Sequence, residues 1–173
     1  MRLFLSWKHI ISLCCVLVYL SSSLAHATVV PKQHRLLIIN SYNEGAPWSQ
    51  TLITPIMLQT SSIEDVNADL VHINGTFIRN DSLYNQMEEG IFQRYERNKP
   101  DYLVLIGSIA FTLRDRIQKE WGDIPMVLIA NEDTYAPREY YFTGRSKNME
   151  DNTVAPLNDI REQYNFTFIE APD

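Results

Sequence analysis

Short apolar runs alternate along this chain with segments of helical spacing. Arg35 to Asn40 (RLLIIN) is a continuous apolar run, the pattern of a strand covered on both faces. Trp48 to Thr60 sets Leu52, Ile53, Ile56 and Met57 on one side of a helix. Pro55 inside it predicts a bend or a late start, because proline removes a helical hydrogen bond. Val66 to Ile73 alternates more weakly and predicts a strand near a sheet edge. Asn80-Asp81-Ser82 offers an N-cap, and Leu83, Tyr84, Met87, Ile91 and Tyr95 follow at helical spacing up to Lys99-Pro100-Asp101. Tyr102 to Gly107 (YLVLIG) is the clearest buried strand. Ile109, Leu113, Ile117 and Trp121 predict one helix, ended by Gly122-Asp123, and Pro125 to Ala130 (PMVLIA) predicts another buried strand. Phe142 to Pro156 has no period and predicts a long loop, and Asn165 to Glu170 (NFTFIE) predicts a last strand.

This order of strands and helices calls for an α/β fold, a parallel sheet of about five strands with helices on both faces. Five strands suit the flavodoxin-like order 2-1-3-4-5, whose ligand crevice lies outside the carboxyl ends of the strands. Three loops would then share one rim. The first carries Asn40, Ser41, Tyr42, Asn43, Glu44 and Trp48, the second Gly107 and Ser108, and the third Asn131, Glu132 and Asp133. Amides and hydroxyls hydrogen-bond a polar ligand, and aromatic faces stack on a sugar or an apolar ring. The competing reading is local: Asn and Ser after a strand cap the next helix, Gly-x-Pro is turn chemistry, and Trp48 staples a helix start.

Composition narrows the setting. Met1 to Ala27 reads as a secretory signal, with Arg2 and Lys8 before an apolar run from Ile10 to Leu20 and a small-x-small site at Ala25-His26-Ala27. The run is short for a membrane span, although an uncleaved anchor is the alternative. The predicted domain is then residues 28–173. Cleavage would leave 13 bases against 21 acids, a formal charge near −8 in place of −6, and would remove both cysteines. An acidic chain without a basic cluster is a poor nucleic-acid binder, and a chain without thiols is no disulfide-stapled module. Export would place the domain on the periplasmic side of a bacterial inner membrane, or free in the periplasm.

Signals for enzyme chemistry are thin. The sequence has no G-x-S-x-G elbow, no Walker lysine motif and no G-x-G-x-x-G. A receiver domain needs an Asp where Gly107 ends the third predicted strand. Glu132 and Asp133 are adjacent carboxylates of the kind that more often cap or stay solvated than act as an acid–base pair. His34 and His72 have no metal-ligand spacing, and His72 reads as a satisfied, partly buried residue. Neither a catalytic residue nor a cofactor nor a metal is expected; a hydrolase using Ser108 or Glu132 is the minor alternative.

The segments RLLIINSYNEGAPWSQTLITPI, KPDYLVLIGSIAFTLRD, WGDIPMVLIANED and YAPREYY together resemble the exported sensor region of bacterial two-component histidine kinases, often hybrid kinases. That region is similar to periplasmic substrate-binding proteins of ABC-type transporters. The resemblance runs from about Arg35 to the C-terminus. It implies one lobe of a type I periplasmic-binding fold, with the three loops facing an interlobe cleft that takes a small polar molecule. Closure of two lobes would then bias an attached kinase. Both the second lobe and the kinase region of such a relative are missing from these residues, so the chain reads as a first lobe, and a bare lobe face would favour a homodimer. The alternative is a substrate-binding protein serving a transporter.

Overall fold

The computed structural model of the chain describes residues 33–131, 133–142 and 154–171. The compact unit begins at Gln33, and the predicted signal lies outside the described residues, as do Glu132 and most of the predicted loop from Phe142 to Pro156. Among the described residues, no helix is long and apolar enough to cross a membrane.

Five parallel strands form the sheet: β1 His34–Asn40, β2 Val66–His72, β3 Tyr102–Ile106, β4 Met126–Ala130 and β7 Phe166–Glu170. Their spatial order is β2-β1-β3-β4-β7, the flavodoxin-like order expected. The weakly alternating β2 is at one edge. The central strands carry unbroken apolar stretches, Leu36–Ile39, Leu103–Ile106 and Met126–Ala130, because both faces are covered there. Leu37, Ile39, Leu103, Leu105 and Leu128 face one way, against Tyr84, Ile91, Phe92 and Tyr95 of helix α2 (Asp81–Tyr95). Phe111 of α3 (Ser108–Phe111) and Ile117 and Trp121 of α4 (Arg114–Trp121) complete that side. Ile38, Val104, Ile106 and Ile129 face the other way, where Ile53 of α1 (Pro47–Ser61) is buried and Trp48, Leu52, Ile56 and Met57 pack around it. Each fully buried aliphatic side chain contributes about 1.5–3 kcal/mol through its removal from water, so this two-sided burial fixes the sheet.

Helix α1 runs unbroken through Pro55, where a bend or late start was expected. Pro55 and Thr51 both lie on the exposed side, so water can serve the Thr51 carbonyl that loses its amide partner. Asn80 caps α2, accepting from the Leu83 amide at 3.0 Å. The helix expected over Ile109 to Trp121 is two helices, parted at Thr112 and Leu113. There the Thr112 and Leu113 amides bond three residues back, to Ile109 and Ala110. The Thr112 hydroxyl donates to the Ile109 carbonyl, a local bond that competes with α-helical pairing.

Between β4 and β7 the chain forms elements that the sequence pattern did not indicate. β5 (Thr134–Tyr135) pairs antiparallel with β6 (Ala155–Pro156), α5 spans Arg138–Phe142, and a 3-10 turn spans Leu157–Ile160. Leu157 and Ile160 are buried there, and Arg114 stacks at 5.0 Å from the Tyr135 ring and 5.6 Å from the Tyr164 ring.

Candidate ligand-binding rim

Asn40, Ile106 and Ala130 are the carboxyl ends of β1, β3 and β4, so the loops that follow leave the sheet at one edge. The Ser41 amide donates to the Ile106 carbonyl and the Gly107 amide to the Ile129 carbonyl, both at 2.8 Å. These bonds carry the sheet ladder one residue beyond the strands and fix where each loop starts.

Three of the expected ligand contacts face inward. Asn40 is fully buried. Its Nδ2 lies 2.9 Å from His72 Nδ1, 3.2 Å from Ser49 Oγ and 3.3 Å from the Tyr42 carbonyl, and its Oδ1 accepts from the Tyr42 amide at 3.3 Å. Ser41 is buried as well, and its Oγ accepts from the Ala110 amide at 2.8 Å. This bond serves an orphan donor in the first turn of α3. Gly107 has φ +83°, and a Cβ there would lie 2.9 Å from Ser41 Cβ, Ser41 Oγ and Tyr42 Cε2. These residues offer little surface to a ligand. They brace the loop above them: of the expected ligand contacts, Asn40, Ser41 and Gly107 lie in its base, where Ser41 serves the first turn of α3 and Asn40 bonds the loop, Ser49 and His72 in place of a helix-end amide.

The rest of the first loop is outward. Tyr42, Asn43 and Glu44 are exposed. Tyr42 packs edge-on against Trp48, with ring centroids 5.0 Å apart, and burial of part of its ring pushes the phenol above its ordinary pKa. The Asn43 and Glu44 carbonyls accept from the Ala46 amide and from Gln50 Nε2, which ties the loop to the start of α1. Ser108 is half-buried and Asn131 exposed. The structure therefore joins the β1 and β3 loops directly, Tyr42 lying over Gly107.

Asp133 falls into a different group. It lines a cavity of about 370 Å³ with Asn158, Arg161, Phe168 and Glu170, and its carbonyl accepts from the Leu157 amide at 2.8 Å.

Two contributors were not expected as part of the site. His72 supports Asn40 from β2, consistent with its being satisfied and partly buried. Gly75 allows the chain after β2 to pass beneath the loop: its amide donates to the Ser41 carbonyl at 2.8 Å, and a Cβ there would stand 2.3 Å from Ile109 Cδ1. Asn74-Gly75 carries turn chemistry in the sequence, but the partner across the sheet edge leaves no local signal. Among the described residues, no group of His, Cys, Asp and Glu is placed to hold a metal ion.

No protein-family model, curated protein or solved structure matches the chain. The fold and the geometry of the rim are therefore what bear on function.

Proposed function

We propose that this domain is the ligand-binding lobe of an extracytoplasmic sensor region attached to a two-component histidine kinase. A small polar molecule would bind against Tyr42, Asn43, Glu44, Trp48, Ser108 and Asn131, with a second lobe closing over it. Binding would favour the closed arrangement by its differential affinity and so bias the attached kinase. On this proposal the domain binds and signals, and the catalytic step belongs to the kinase.

One observation carries the proposal. Exposed amide, phenol and carboxylate groups sit at the carboxyl edge of the central strands, on a loop whose buried base is held by Asn40, Ser41 and Gly107. A loop fixed in advance loses less conformational entropy when a ligand arrives. A lone lobe covers one side of its ligand, so the expected affinity without the second lobe is weak.

The test is a panel of amino acids, organic acids and simple sugars, screened by thermal shift and by tryptophan emission in a Trp121→Phe background, which removes the Trp buried beside Phe92. A binder whose affinity falls about tenfold, the loss of one hydrogen bond, in both Tyr42→Ala and Asn131→Ala supports the rim. A binder indifferent to both substitutions refutes it.

A further inference from the structure

We infer that a second ligand site lies beside β7, apart from the rim, and that it takes a diamino carboxylic acid, a molecule with two ammonium groups and one carboxylate. The site is the cavity of about 370 Å³ that Asp133 lines. Ligand pockets run from about 300 to 1,000 Å³, so this one suits a single small molecule. In the sheet, β3 and β4 stand between β7 and β1, the strand that carries the Tyr42 loop.

Its charged groups come from three elements whose backbones are fixed. Phe166, Phe168 and Glu170 alternate along β7 and so point to one face. Both rings join the core on that side, and Glu170 pairs with Ala130 of β4. The 3-10 turn over Leu157–Ile160 is anchored to the same core by its buried Leu157 and Ile160. Asn158 and Arg161 are three residues apart, the spacing that aligns side chains on a 3-10 turn, and the Arg161 amide donates to the Asn158 carbonyl. Asp133 is held to this turn by its carbonyl, which accepts from the Leu157 amide at 2.8 Å, and by the β5–β6 pair that follows it. A site built on such supports loses little entropy when it is filled.

The charges define the ligand. The Arg161 guanidinium and the carboxylates of Asp133 and Glu170 line one cavity. Among the described residues, none of the three makes a side-chain hydrogen bond or ion pair, with one another or with any neighbour. One cation and two anions that share a small space without pairing call for the opposite set in a ligand. A ligand carboxylate matches the fork of Arg161 and the amide of Asn158. Two ammonium groups match Asp133 and Glu170, and the methylenes between them meet the half-buried Phe168 ring. A diamine or a plain carboxylate satisfies only part of this set. The inference holds whether or not the rim takes a ligand.

The test titrates the full ¹⁵N-labelled chain and follows the amide shifts of Asn158, Arg161 and Glu170. The probes are L-lysine, cadaverine, which has the two amines without the carboxylate, and hexanoate, which has the carboxylate without the amines. L-Lysine should bind at least about tenfold more tightly than either, the effect of a hydrogen bond to a charged group. Arg161→Gln should cut lysine affinity about tenfold and leave cadaverine unchanged, whereas Glu170→Gln should weaken both. Both side chains are exposed, and the ranking of probes on the unaltered chain needs no variant to fold. Cadaverine binding as tightly as lysine, or no saturation by about 10 mM lysine, overturns the site. So does lysine binding that falls in Tyr42→Ala and Asn131→Ala but not in Arg161→Gln, which would assign the lysine to the rim. A rim that takes no ligand leaves the probe ranking and the Arg161→Gln effect intact, so the two readings fail separately.

Discussion

Replacing Gly107 by alanine tests the central claim about the rim, that its base is closed by packing and leaves no opening. Two costs add. The backbone at Gly107 has φ 83° and ψ 162°, a region almost reserved for glycine, and holding a residue with a side chain there costs about 1–3 kcal/mol. The new Cβ would also stand 2.9 Å from Ser41 Cβ and Oγ and from Tyr42 Cε2. Ser41 is too short to swing aside without moving its backbone. That backbone is held by its amide on the Ile106 carbonyl and by its carbonyl on the Gly75 amide, and the hydroxyl is held by the Ala110 amide. Losing one or two of these bonds adds about 1–2 kcal/mol, for a total of roughly 2–5 kcal/mol.

Gly122 supplies the control. It has a similar backbone, φ 93° and ψ −163°, and nothing within 4 Å of its would-be Cβ. Gly122→Ala should therefore pay the conformational term alone, about 1–3 kcal/mol. Urea unfolding of the two variants at unchanged m-value measures the difference. Gly107→Ala should be the less stable by at least about 1 kcal/mol. Equal losses would show that Ser41 and Tyr42 do not press on Gly107, and the braced loop would have to be abandoned.

Alkaline stability follows from two buried phenols. Burial pushes Tyr84 and Tyr95 up to about 12, against 10.0 for a free tyrosine. Both pKa values are raised in the folded state, so the stabilisation is present in full below pH 10 and is lost as pH rises toward 12; tyrosinate absorbance and circular dichroism should show ionisation and unfolding together over that window. Phenols that all ionise near pH 10 with the fold intact would contradict it. Gly90 lies in the exposed interior of α2 with nothing within 4 Å of its would-be Cβ. Gly90→Ala should stabilise by about 0.5–1 kcal/mol through helix propensity, read as a higher urea midpoint. A loss of stability there would mean that the exposed face of α2 is not open.

The five strands could be read from the sequence because each is a local property. RLLIIN, YLVLIG and PMVLIA are apolar on consecutive residues, and a strand buried on both faces needs no partner to reveal that. The alternation of strands with helices then left few sheet orders to choose from, and the observed order is the flavodoxin-like one. Asn80 as a cap was equally local, since its bond reaches only to Leu83. The break at Thr112 was less visible, because no glycine or proline marks it. The β5–β6 pair was missed because two-residue strands have no period to detect.

Sequence also located the loops of the candidate rim without showing which side chains face outward. Asn, Ser and Gly after a strand suit a ligand site and a helix cap equally well. What set the direction of these side chains were partners remote in the chain. Ser41 is satisfied by Ala110, 69 residues away, and Asn40 by His72, 32 residues away. Parallel pairing brings these strand ends together, and Gly107 fits beneath Ser41 only once β1 and β3 lie side by side. Local pattern fixes which segments are strands and helices because hydrophobic burial acts on every residue of a run. The direction of a polar side chain at a strand end depends on which other strand end stands opposite it, and only the assembled sheet decides that.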